Sequence, residues 1–151
     1  MQNSKIKEGE IVAISVSQKK GVRKTNVPSA SLREDFGIIG DAHAGSGNRQ
    51  VSLLAQESIE KMRGKGLNVG AGDFAENITT QGLDLCGLKI GTKLKINNDV
   101  LLEITQIGKV CHTRCNIYYQ AGDCVMPKEG IFAKVIQDSI IKVGDRMEAT
   151  D

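Results

Sequence analysis

The chain has no tryptophan, three phenylalanines and two tyrosines among 151 residues. With so few rings, a hydrophobic core must be built from valine, isoleucine and leucine, and branched aliphatics of that kind favour strands. No apolar run approaches the roughly 20 residues that a membrane-spanning helix requires. The opening Met1-Gln-Asn-Ser-Lys-Ile-Lys7 has no apolar stretch of the signal-peptide type. A soluble, cytoplasmic protein without a membrane partner is the expectation. Net charge is only +2 and the charged residues are interspersed, which argues against a nucleic-acid partner, because such binders carry a broad basic footprint. There is no internal repeat, low-complexity tract or linker. A chain of this length fits one domain over residues 1–151.

What is abundant is glycine, 17 residues in all, which together with the branched aliphatics predicts short strands and many turns. Gly9–Ser17 reads as a first strand. Lys19-Lys-Gly-Val-Arg-Lys24 follows as a basic loop, either solvated or an anion site. Four glycines between Gly37 and Gly47 surround Asp41 and His43 in a shaped loop. Arg49–Leu54 reads as a short strand, and a helix is expected from Ser52 or Leu54 to Arg63, stopped by Gly64-Lys-Gly66. Asn77–Thr80 is strand-like. Lys93–Ile96 and Val100–Ile107 form a hairpin about Asn97-Asn98-Asp99. Gly130–Ile136 reads as strand or short helix, and Ser139–Glu148 as a closing strand with a Gly-Asp turn. Gly-Asp also occurs at 40–41, 72–73 and 122–123 without a fixed period, as separate turns.

Three of the four cysteines, Cys111, Cys115 and Cys124, fall within fourteen residues just after the Val100–Ile107 strand. Lys109, His112 and Arg114 stand among them, and neighbouring positive charge lowers a thiol's pKa and raises its thiolate fraction. Four cysteines in a reducing compartment point to free, metal-binding or catalytic thiols rather than to disulfides. A zinc site of three cysteines and His112 is the competing reading. Cys111 and Cys115 have chelate spacing, but no second closely spaced pair exists, so zinc is disfavoured. Cys86 stands alone beside Gly87 and reads as core packing.

Gly-Asp-Phe-Ala-Glu-Asn-Ile-Thr-Thr-Gln-Gly-Leu-Asp-Leu at 72–85 resembles the hallmark of the MOSC domain, the C-terminal domain of eukaryotic molybdenum cofactor sulfurase and also a small stand-alone bacterial protein. Gly-Ile-Ile-Gly-Asp-Ala-His-Ala-Gly at 37–45, Arg-Gln-Val-Ser-Leu at 49–53, a cysteine after a central strand and Val-Gly-Asp at 143–145 complete an ordered set from about Ile11 to Met147. The resemblance implies a mixed α/β, mainly β fold, a MOSC-type β-barrel with flanking short helices. It also implies a pocket for molybdenum cofactor (molybdopterin), marked by a cysteine. The aminotransferase-like desulfurase domain of the sulfurase has no counterpart here, so the chemistry would be independent of pyridoxal phosphate.

On that resemblance Cys111, directly after the strand, is the nucleophile, sulfur acceptor or molybdenum ligand, and a soft thiolate suits each role. Cys115 is the alternative, because an Arg-Cys pair also occurs in larger relatives. Cys124 is a resolving thiol or a third metal ligand. His43, Arg49, Lys109 and Arg114 would meet an anionic pterin phosphate, and Glu76 and Asn77 would orient the pocket backbone. Bland roles compete for each: a buried structural thiol, a loop hydrogen bond for His43, an ion pair of Arg49 with Asp41 or Glu76, and an Asx-type turn at Asn77.

The function implied is molybdenum cofactor binding or sulfur carriage on a cysteine persulfide, in cofactor maturation or delivery. Its partners would be a cysteine desulfurase and cofactor biosynthesis or acceptor proteins. The alternatives are a small molybdenum-dependent reductase of N-hydroxylated compounds with a partner electron donor, and a zinc-stabilised interaction module. Whether there is enzymatic turnover stays open.

Overall fold

Alternating apolar residues, cut by glycine and Asn/Asp turns, give this chain a sheet that closes on itself. The structure is a computed structural model and describes residues 7–19, 24–42, 44–45, 47, 49–108 and 130–150. The described strands are β1 (Lys7–Val16), β2 (Thr25–Val27), β3 (Ser29–Arg33), β4 (Gly37–Ile38), β5 (Val51–Ala55), β6 (Ile78–Gln81), β7 (Lys93–Ile96), β8 (Val100–Ile107), β9 (Ile131–Gln137), β10 (Ile140–Lys142) and β11 (Arg146–Thr150). Among the described residues one α-helix, α1 (Gln56–Arg63), lies between β5 and β6, and Leu85–Gly87 makes a 3-10 turn. Neighbouring strands run β11-β7-β8-β9-β5-β6-β1, and β1 pairs with β11, closing a seven-stranded barrel. Closure leaves these strands no open edge to satisfy. β2 extends the sheet from β1, and β10, β3 and β4 form a separate three-stranded sheet.

Around the ring only β5 and β6 run parallel, with Leu53 opposite Ile78. A parallel pair needs a crossover, and α1 supplies it. Its apolar face, Ile59 and Met62, packs with Leu54, Val69, Phe74 and Phe132 on the outside of the barrel. Val51, Leu53 and Ala55 point the other way, into the main core with Ile11, Ile78, Leu102, Ile104 and Ile131. β5 is therefore buried on both faces, all five of its residues included. This is why the apolar run Val51–Ala55 is strand throughout, and why the helix begins at Gln56 rather than at Ser52 or Leu54.

β-Bulges correct the alternation in two places that matter. In β1 the register shifts between Ile11 and Ala13, so Ile11 and Ile14, three residues apart, both point inward with 0% exposure. In β8 it shifts between Ile104 and Gln106. Such an extra residue re-aims the side chains that follow it. The β7–β8 hairpin turns at Asn97 and Asn98, with φ of 52° and 68°, the paired left-handed conformation of a tight hairpin.

Several sequence expectations are refined. Gly130–Ile136 resolves as strand, Ile131–Gln137. The closing segment is two strands in two sheets, β10 and β11, parted by a turn in which the Lys142 amide donates to the Asp145 carboxylate at 2.8 Å. Residues 27–33, assigned no element from sequence, belong to β2 and β3, with Pro28 between them and its carbonyl accepting the Val143 amide at 3.1 Å.

Leu53 sits where the parallel and antiparallel pairings meet, with 0% exposure. Leu53→Ala should lower unfolding free energy by about 2–5 kcal/mol, the range for cavity-forming leucine truncations. Ile140→Ala, at a residue 56% exposed, should change it by less than about 0.5 kcal/mol. Urea titrations followed by far-UV circular dichroism measure both.

Candidate functional site

At the start of β6, Asn77 joins three strands. Its side-chain oxygen accepts the Ser52 amide of β5 at 3.0 Å, and its side-chain nitrogen donates to the Ser15 carbonyl of β1 at 3.1 Å. The Asn77 backbone adds two more bonds, accepting the Ser15 amide at 2.7 Å and donating to the Ser52 carbonyl at 3.0 Å. Ser15 and Asn77 are fully buried and Ser52 nearly so, which makes each bond costly to lose. An Asx-type turn, the bland reading from sequence, understates what this residue does in the fold.

Glu76 lies beside it, also fully buried. Its carboxylate accepts the Gly72 amide at 2.9 Å, the Phe74 amide at 3.2 Å and the Thr79 hydroxyl at 2.9 Å. Burial pushes the Glu76 carboxyl above the ordinary glutamate value, and the donated bonds oppose this without cancelling it. The carboxylate thus folds residues 72–76 around itself. Gly72 is required in this turn: its φ is +91°, and a Cβ there would stand 2.5 Å from the Lys24 carbonyl oxygen.

Lys24, the last cation of the basic loop, turns inward. Its ammonium meets the Asp41 carboxylate at 2.8 Å, both side chains being fully buried. The same carboxylate oxygen accepts the Ser17 amide at 3.0 Å, and the Ala42 amide donates to the Ser17 carbonyl at 2.8 Å. Asp41 therefore ties the glycine-rich loop to both ends of the basic loop. Gln50 holds the other flank, donating to Asp35 at 2.8 Å and accepting the Val135 amide at 2.9 Å.

Arg49 occupies a different setting. It is exposed, its guanidinium lies 5.3 Å from the centre of the Phe132 ring, and its Nε donates to the Gln106 side-chain oxygen at 3.2 Å. Gln106 in turn donates to the Gly108 carbonyl at 2.8 Å, and the Gly108 amide donates to the Gly130 carbonyl at 2.6 Å. Gly108 and Gly130 flank residues 109–129, the stretch that carries the cysteine cluster. Among the described residues no carboxylate pairs with Arg49, neither Asp41 nor Glu76. A ring and a neutral amide hold the guanidinium without neutralising its charge.

Of the residues singled out from sequence, Arg49, Glu76 and Asn77 are described. Glu76 and Asn77 are neighbours in the buried network, while Arg49 sits on the outer surface beside Phe132. His43, Lys109, Cys111, His112, Arg114, Cys115 and Cys124 lie outside the described residues, as does the side chain of Cys86. Among the described residues no cluster of three or more His, Cys, Asp or Glu forms a metal site, and no helix is long and apolar enough to cross a membrane. Sequence reasoning missed Ser52 and Gln106, and it placed Lys24 in a basic loop and Asp41 beside His43 or Arg49 without pairing the two with each other. Lys24 carries no local signal setting it apart from Lys19, Lys20 and Arg23, and Gln106 is hidden by the bulge.

A closed, mainly antiparallel barrel with one helical crossover, bearing an exposed arginine at the root of a cysteine-rich stretch, is the class that this geometry defines. A profile of the MOSC domain matches residues 40–148. The chain belongs to the MOSC domain family, which is linked to molybdenum cofactor-related proteins. The fold is similar to that of the YuaD protein from Bacillus subtilis, with a TM-score of 0.81 and 16% identity over 96% of this chain and 97% of that one. It is also similar to YiiM from Geobacillus stearothermophilus (TM-score 0.70, 19% identity, covering 95% and 75%) and YiiM from Escherichia coli (0.65, 17%, 94% and 70%). A search among curated proteins gave no match.

Two predictions come from the buried charges. Lys24→Met leaves Asp41 charged and buried, and should destabilise the protein by about 3–5 kcal/mol. Lys19→Met, at an exposed neighbour, should stay within about 0.5 kcal/mol on the same denaturation assay. For Glu76 the folded state binds its proton more tightly than the unfolded chain. Its contribution to stability is therefore full below the ordinary value of 4.5 and is lost as pH rises through the folded-state value. Urea midpoints between pH 4 and 8 should fall with rising pH more steeply for the parent than for Glu76→Gln. Equal slopes would contradict the linkage.

Proposed function

We propose that the protein binds molybdenum cofactor or a pterin precursor, or carries sulfur on a cysteine for its maturation or delivery. The observation that supports this most directly is Arg49: an exposed cation without a carboxylate partner among the described residues, tied through Gln106 to the root of the stretch that contains Cys111 and Cys115. A pterin phosphate is the kind of anion a guanidinium takes in paired hydrogen bonds. The residues present fit the group. Arg49 would hold its phosphate, and a thiolate from Cys111 or Cys115 would face its softer end, with Lys109, Arg114 and His43 supplying further donors. When bound, the molybdenum centre supplies the affinity for soft sulfur that makes a thiolate its natural ligand.

The buried network serves this role indirectly. Asn77 and Glu76 fix residues 72–77 against β1 and β5, and Asp41 ties the described part of the glycine-rich loop to Ser17 and Lys24. As a sulfur carrier, the same thiolate would attack the outer sulfur of a desulfurase persulfide, take that sulfur and release the donor's thiolate. Nearby cations favour the thiolate form on which this attack depends.

Protein purified without oxygen should be assayed for molybdenum and extractable pterin, with intact mass taken before and after thiol reduction. The expected result is molybdenum with pterin, or a reducible gain of about 32 Da, one sulfur atom on a thiolate. Either should be lost in Cys111→Ser or in Cys115→Ser. Turnover of an N-hydroxylated compound with an artificial electron donor would move the reading from carrier to reductase. Stoichiometric zinc, with neither pterin nor persulfide and with unreactive thiols, would overturn both in favour of a structural module.

A further inference from the structure

We propose that Gln106 is a positioning residue that aims Arg49 at its anion, an inference that rests on the anion-binding reading of Arg49. Along β8 the inward positions are Val100, Leu102 and Ile104, and simple alternation would send Gln106 into the core with them. The bulge prevents this. Ile104 faces Ala133, yet Gln106 faces Phe132, so two residues of β8 advance against one of β9. Phe132 belongs to the outer cluster, and the carboxamide of Gln106 consequently emerges on the outer face beside the ring and beneath Arg49.

There both ends of the carboxamide are engaged. The oxygen accepts Arg49 Nε at 3.2 Å, and the nitrogen donates to the Gly108 carbonyl at 2.8 Å. Gly108 has a φ of +71° and is itself bonded to Gly130, so the amide is braced against a fixed point of backbone. With Nε occupied and the guanidinium 5.3 Å from the Phe132 centroid, the edge left for a ligand is the one formed by the two Nη atoms. That edge suits end-on, two-pronged binding of a phosphate or carboxylate. The chemistry of the side chain matters as much as its shape. A glutamate at this position would also accept from Nε, but it would bring a charge that competes with the ligand and would lose the donor to Gly108.

The test uses the full chain, inorganic phosphate as the probe, and the Arg49 Nε–H resonance as the readout in NMR titrations. Phosphate should shift this resonance in the parent. Gln106→Ala should weaken phosphate binding about fivefold, the loss expected for one net hydrogen bond, and should move the Nε–H signal to its solvent-exposed position. Gln106→Glu, nearly isosteric and the safer variant for folding, should weaken it about tenfold or more through the competing carboxylate. Arg49→Ala with Gln106→Ala should bind no more weakly than Arg49→Ala alone, because Gln106 acts only through Arg49. If Arg49→Ala weakens binding while both Gln106 variants bind as the parent with the resonance unmoved, the positioning role is overturned and the anion site stands. If Arg49→Ala binds phosphate as the parent does, the anion reading falls and takes this inference with it.

Discussion

The fold depends on the hydrogen-bonding of Asn77. A barrel of mostly antiparallel strands has to accommodate one parallel pair, β5 with β6, and at the entry to that pair lie backbone groups of the buried Ser15 in β1 and Ser52 in β5. Asn77 meets them with both ends of its side chain and with its own peptide groups. An unmet buried polar group costs about 1–3 kcal/mol, and without this side chain the Ser52 amide and the Ser15 carbonyl would lose a partner together. An aliphatic side chain of similar size could fill the space and keep the two hydrogen bonds of the peptide groups, but it would answer neither the Ser52 amide nor the Ser15 carbonyl. The polar residue is thus the condition for closing the ring at this point.

From this junction the order spreads outward through charged groups rather than through more apolar packing. Glu76, next in the chain, gathers the turn 72–76, and Gly72 in that turn accepts the Lys24 amide through its carbonyl at 2.8 Å. The Lys24 side chain reaches Asp41, and Asp41 holds Ser17 at the end of β1. Two buried charges are thereby used to pin two loops, an arrangement that gives positional definition more than net stability. The outer surface at Arg49 follows another logic. Among the described residues its partners are a ring and a neutral amide, which hold the guanidinium without neutralising it.

How far the sequence revealed this depended on whether the controlling interactions were local. The β7–β8 hairpin was legible to the residue, because alternation and the Asn97-Asn98 turn are both short-range signals. Family membership was legible from the ordered motifs at 37–45, 49–53 and 72–85, which fall within or beside the 40–148 match. The strand-to-helix boundary at Ala55 was not, since burial of β5 on both faces erases the alternation that would have marked it. β3 and β4 escaped for a related reason, each being short, and the separate pairing of β10 with β3 was hidden because that partner lies far away in sequence. Of the candidate site, Glu76, Asn77 and Arg49 were singled out from sequence, but their different settings were not legible. Which cation of the basic loop turns inward, and that a bulge brings Gln106 to Arg49, are decided by tertiary contacts alone.

Native-state hydrogen exchange at Ser15 and Ser52 tests most directly whether the Asn77 junction holds the barrel closed. In the parent both amides should belong to the slowest class, exchanging only through global unfolding. In Asn77→Leu they should exchange through a local opening of lower free energy, ahead of strands such as β7 and β8 that do not touch the junction. Exchange at Ser15 and Ser52 in the parent as fast as at the exposed ends of β2 or β10 would contradict the account.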